Sequence, residues 1–134
     1  MAARLKKEYI YATAGSGRHR LAGAALCLGE DISIAVWGGS EPHIGSVAIA
    51  VPRQSLEKPK RRRATSSVYN FVGHKDEIVA REIAETVAMR LGRNVVVTAG
   101  IHVDQMTHRD LINIVSNVAK LKEQLIVEIE RQLR

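Results

Sequence analysis

The feature that most constrains what this 134-residue chain can fold into is a change of hydrophobic period near its middle. Up to about residue 72, apolar residues come in short runs separated by Gly, Ser, Asp and Pro, the pattern of strands and turns. Glu8–Ala14 alternates weakly and stops at Gly15-Ser-Gly17. Arg20–Leu28 and Ile32–Trp37 flank the tight turn Gly29-Glu-Asp31, a hairpin signal. Ser46–Val51 is rich in β-branched residues and alanine, and Pro52 is expected to end its ladder. Ala64–Val72 makes a fifth strand.

From Asp76 the period becomes helical. Val79, Ile83 and Val87, with Ala80, Ala84 and Ala88 beside them, predict an amphipathic helix over Asp76–Leu91 with a narrow, closely packing face. Gly92 is placed to be its left-handed C-cap. Asn94–Ile101 holds Val95-Val-Val97 and reads as a strand buried on both faces. Thr107–Arg134 is the longest periodic segment, with Leu111, Ile114, Val115, Val118, Leu121 (or Lys122), Leu125, Ile129 and Leu133 on one stripe and Thr107 and Asp110 spaced as a capping box. Strands followed by helix, strand and helix predict one α+β domain over residues 1–134, with a largely antiparallel sheet of about six strands and two main helices. The last helix is long for so small a body and is expected to pack against a second copy.

A hydrophobic share of 46% and a charged share of 25% suit a globular domain with a real core. No apolar run approaches the roughly 18–20 residues that cross a bilayer, and no apolar h-region follows the basic start Met1–Lys7. The single cysteine, Cys27, cannot form an internal disulfide and is expected to be a small buried hydrophobe. The expected compartment is the cytosol. The net charge of +6 is unevenly placed, because Lys58-Pro-Lys-Arg-Arg-Arg63 supplies five positive charges in six residues. Residues 53–63 read as an exposed basic loop, either solvated or facing an RNA backbone or an acidic protein. Tyr9, Tyr11, Trp37, Tyr69 and Phe71 lie apart from that run, so it lacks stacking platforms and nucleic acid is not the expected partner.

Two short motifs share a pattern: Gly73-His-Lys-Asp76 and Gly100-Ile-His-Val-Asp104 each place Gly and then His-x-Asp where a strand gives way to a helix. If the fifth and sixth strands run side by side in one direction, both corners open on one edge of the sheet. Three readings stay open. The aspartates could simply cap helices. His74, Asp76, His102 and Asp104 could form a mixed nitrogen and oxygen site for Zn, Mn or Fe. Or the free amides of the first helix, with Gly73, His74 and Lys75, could receive a phosphate, provided Asp76 points away. Gly38-Gly-Ser40, His43-Ile-Gly-Ser46, Arg53, Arg63 and Thr65-Ser-Ser67 add glycines, hydroxyls and guanidiniums near strand ends. No dinucleotide, Walker, zincin or nucleophile-elbow motif is present, and no residue reads as an activated nucleophile.

Taken together, Gly45-Ser-Val-Ala-Ile-Ala-Val-Pro-Arg53, Thr65-Ser-Ser-Val68, Gly73-His-Lys-Asp76 and Ala99-Gly-Ile-His-Val-Asp104 resemble the small prenylated-flavin chaperone-like proteins associated with hydroxyarylic acid decarboxylases. The resemblance spans about residues 20–120. It implies a fold similar to the proteasome-assembly chaperones, and a non-catalytic protein that binds prenylated FMN (or FMN) and helps mature an aromatic acid decarboxylase. On that resemblance Gly73, His74 and Lys75 would meet the phosphate or ring edge, Arg53 and Ser67 the phosphate or ribityl chain, and His102 with Asp104 the ring, with Trp37 as the stacking residue. The rival expectations are an assembly chaperone for a protein complex without cofactor, and a metal enzyme at the paired His-x-Asp motifs.

Overall fold

Strand and helix formation follow the two periods. The structure, a computed structural model, describes residues 8–58, 60–71 and 76–133. The elements are β1 (Tyr9–Ala14), β2 (Leu21–Leu28), β3 (Asp31–Gly39), β4 (Ser46–Gln54), β5 (Arg62–Asn70), α1 (Glu77–Leu91), β6 (Val95–His102) and α2 (His108–Leu133), with a 3-10 turn at Gly17–His19. The six strands make one sheet in the order β1-β2-β3-β6-β4-β5. Only β3 and β6 pair in parallel; the other pairs are antiparallel.

Both helices lie on one face of the sheet. Helix α1 covers β4, β5 and β6, and α2 covers β1 and β2. Ala80, Ile83, Ala84, Val87 and Ala88 are the buried face of α1, and their small volumes let it approach the strands closely, as the sequence predicts. Gly92 ends α1 at φ 65°, where a left-handed C-cap needs glycine. In α2 the buried stripe is Ile114, Val118, Leu121, Leu125, Ile126 and Ile129. That stripe packs on the chain's own sheet, whereas Leu111 and Val115, expected in it, are exposed.

The sheet departs from the sequence reading in two further ways. β4 and β5 run on past the expected ends, pairing as far as Gln54 with Arg62, so the basic loop shrinks to the residues between them. Pro52 sits within the ladder because β6 has stopped at the Ala50–Val95 pair, and on that vacated side an N–H has no partner to lose. β6 is buried on one face only: Val95, Val97 and Ala99 face the helices, whereas Val96 is exposed. No described helix covers the opposite face. Cys27 is buried, as expected, and desolvation raises its thiol pKa, which keeps it protonated and inert. Among the described residues no helix is long and apolar enough to cross a membrane.

Candidate functional site

The parallel pair β3 and β6 ends on one side of the sheet, and the 40–45 segment that links β3 to β4 must cross the end of β6. Three backbone bonds hold it there: Ser40 N–H donates to the His102 carbonyl at 2.7 Å, Glu41 N–H to the same oxygen at 3.4 Å, and Gly45 N–H to the Ala99 carbonyl at 2.9 Å. Ser40 adds two more through its hydroxyl, donating to the His102 carbonyl at 3.2 Å and accepting the Asp104 N–H at 3.0 Å. The His43 carbonyl lies where a side chain at position 100 would stand, so only glycine fits there. The Gly-Ser composition of residues 38–46 is therefore explained by a crossing that packs backbone on backbone.

Asp76 and residues 100–104 converge, although β5 and β6 are not side by side as expected. β4 separates β5 from β6 and is antiparallel to both, so β5 and β6 run in one direction and end at the same edge. Asp76 then closes the gap: its Oδ1 accepts the Ile101 N–H at 3.0 Å, and its Oδ2 faces His43 Nε2 at 3.3 Å. Its carboxylate thus points to β6 and makes no side-chain cap for α1. Asp76 is buried by these contacts. Gly73, His74 and Lys75 lie outside the described residues.

His102 and Asp104 form an exposed pair, with Nε2 and Oδ1 2.9 Å apart and side chains 48% and 65% exposed. Glu41 joins them: one ligand atom from each of Glu41, His102 and Asp104 lies within 4.8 Å of the others. Of the four-residue metal set read from the sequence, His74 lies outside the described residues, and Asp76 contacts Ile101 and His43. Glu41 carried no sequence signal, being one polar residue in a loop.

A tether on the other side of β6 was partly legible. Thr107 N–H donates to Asp110 Oδ2 at 2.9 Å and Asp110 N–H donates to Thr107 Oγ1 at 3.1 Å, the expected capping box. Asp110 also holds His19 Nε2 at 2.6 Å and Arg18 at 3.3 Å, and Arg18 donates to the Asp104 carbonyl. The Thr107 backbone N–H, and after it the His19 side chain, hold the Asp110 carboxyl well below the usual carboxylate range. A lowered pKa means stability that is present above about pH 4 and fades as the pH falls toward the folded-state value. Asp110→Asn should therefore melt below the parent at pH 7, with the gap closing in strong acid; melting temperatures of both proteins from pH 7 to pH 2 check this.

Arg53 and Ser67 do not join the corner. Ser46 pairs with Ala99 beside the corner, and Arg53 is seven residues further along β4, about 23 Å away at about 3.3 Å per residue. Arg53 donates to Thr65 Oγ1 at 2.7 Å and lines a groove of about 590 Å³ with Pro52, Gln54, Lys60, Arg61, Arg62 and Gly92. Ser67 lies mid-strand opposite Ile49, on the uncovered face. Trp37 is on that face too, in register with Gly100 and 6.3 Å from Tyr11 between ring centroids.

The family described as the prenylated flavin chaperone LpdD-like domain matches residues 15–130. The chain belongs to that family. It is 30% identical over 99 residues to Protein LpdD of Lactiplantibacillus plantarum (strain ATCC BAA-793 / NCIMB 8826 / WCFS1), covering 74% of this chain and 69% of that protein. Its fold is similar to a chain in the crystal structure of a novel chaperone complex for yeast 20S proteasome assembly. That match has a TM-score of 0.56 at 16% identity, over 96% of this chain and 100% of the other. Family membership makes this an accessory protein of the chaperone class and not an enzyme, and the α+β fold expected from the resemblance is the fold observed.

Proposed function

We propose that the chain binds prenylated FMN, or FMN itself, at the end of the sheet where residues 76 and 100–104 meet, and delivers it to an aromatic acid decarboxylase in the cytoplasm. The observation that supports this most directly is the Ile101 N–H bond to Asp76. It brings Asp76 against the second corner and turns its carboxylate toward β6 and away from the α1 amides, which supports an anion there. In this reading the phosphate meets the first turn of α1, with Gly73, His74 and Lys75 supplying donors from the segment that precedes it. His102 and Asp104 face the polar edge of the ring system. Arg53 is left out, because no flavin spans the length of β4. The protein acts as a homodimer, and nucleic acid is not a partner.

A ligand held at 100 times its Kd adds about 2.7 kcal/mol to stability. Saturating prenylated FMN should therefore raise the melting temperature by several degrees, and His102→Ala with Asp104→Ala should remove most of that rise without changing the ligand-free melting point. No rise with either flavin would overturn the proposal. The second reading, a protein-assembly chaperone without cofactor, is supported by the likeness of the fold to a chain of the yeast 20S proteasome assembly chaperone complex. It predicts that a protein partner is retained while flavin leaves the melting curve unmoved.

A further inference from the structure

The face of the sheet turned away from the helices carries a pattern that water does not explain. Residues pointing to it are fixed by register: Tyr9 stands beside Leu26, Ser33, Val96, Ile49 and Ser67, and Tyr11 beside Ala24, Ala35, Thr98, Val47 and Tyr69. Leu28, Trp37, Val51 and Phe71 extend the rows. Tyr9 is 53%, Ile49 50% and Tyr69 67% exposed. Among the described residues Asp31 is the one charge within these rows, with Arg53 and Arg63 at the far end of the β4–β5 hairpin. A one-sided sheet facing water alternates apolar with polar residues, and an apolar face this broad marks an interface.

We infer that this face is covered by a second copy of the chain, sheet on sheet, about a two-fold axis running along the strands. The inference rests on the homodimer proposed above and on nothing said there of flavin. Two features point to a second copy as the occupant. The first is area: six strands about 4.8 Å apart and about 25 Å long give roughly 600 Å² of projected surface on each side, which clears the roughly 1,000 Å² total that a specific pair needs. The second is complementarity under that one operation. It lays the aromatic edge of β1, Tyr9 and Tyr11, against the aromatic edge of β5, Tyr69 and Phe71. It also brings Arg53 and Arg63 over the β1–β2 edge of the other copy, beside its Glu30 and Asp31. An isologous interface must match itself in this way.

Sedimentation of the purified chain should give twice its 14.7 kDa mass. Ile49→Lys and Leu26→Lys should each yield a monomer with an unchanged far-ultraviolet spectrum, since both side chains already meet solvent within one copy. Ile112→Lys, on the exposed side of α2, should leave the dimer intact. Arg53→Glu with Arg63→Glu should weaken self-association at least tenfold, and mixing that variant with Glu30→Arg/Asp31→Arg should restore a pair. A monomeric parent chain at 50 µM (an arbitrary but generous concentration, about −6 kcal/mol of binding) would overturn both the homodimer and this face. A dimer that survives Ile49→Lys and Leu26→Lys, or dissociates with Ile112→Lys, would overturn the face alone.

Discussion

Gly100→Ala is expected to lower stability by about 3 kcal/mol, near the upper end for overpacking, and to lower the melting temperature by about 10 °C. The new methyl has no flexible side chain to push aside. It meets the carbonyl of His43 and the amide of Ile44, both in the segment that crosses β6. Relief requires that segment to lift, and lifting it breaks the bonds from Ser40, Glu41 and Gly45 to β6. The damage is therefore directed at the candidate site, because the same segment carries Glu41 and His43. Thermal unfolding measures the size of the loss. Amide exchange should show whether protection is lost first at residues 40–46 and 100–104, as this packing requires, or evenly over the sheet.

Leu125→Ala should cost about as much, about 3 kcal/mol, through a cavity. Leu125 is fully buried in the stripe that binds α2 to β1 and β2, and its Cδ1 lies 3.0 Å from where a methyl on Gly23 would stand. Leu121 lies 3.2 Å from the same point. Gly23 gives these leucines room over β2, so Gly23→Ala alone should destabilise by about 1 kcal/mol through crowding. In the double variant the added methyl enters the space that Leu125 leaves, and the combined loss should fall short of the sum of the single losses. Denaturant titration of the four proteins closes this cycle. Strict additivity would mean that α2 does not seat on Gly23 as the structure has it.

What the sequence makes legible follows from local physics. The switch of period places strands before helices, Ala80, Ala84 and Ala88 identify the packed side of α1, and Gly92 and the Thr107–Asp110 pair mark helix ends through bonds made within a few residues. The position of β6 is not local. It slots between β3 and β4 after the rest of the sheet has been drawn in sequence, so nothing near residues 95–102 announces its neighbours. Valine triplets look the same whether one face or two are covered, so the exposure of Val96 has no local signal. The corner at Asp76 was legible because both motifs sit at strand ends that lead into helices. The separation of Arg53 from the corner is not legible for a related reason: its distance in sequence from Ser46 is short, but an extended strand converts that distance into length along the sheet. Arg18, His19 and Glu41 reach the site from loops, and loop composition carries no direction.

The most direct test of the account is amide chemical-shift mapping of the full chain titrated with prenylated FMN, and in parallel with FMN. The account predicts shifts concentrated at residues 40–45, the first turn of α1 and residues 100–104, with the Ile101 amide among the largest because its bond to Asp76 joins the two corners. Shifts confined to Arg53 and residues 60–63, or none with either flavin, would contradict it.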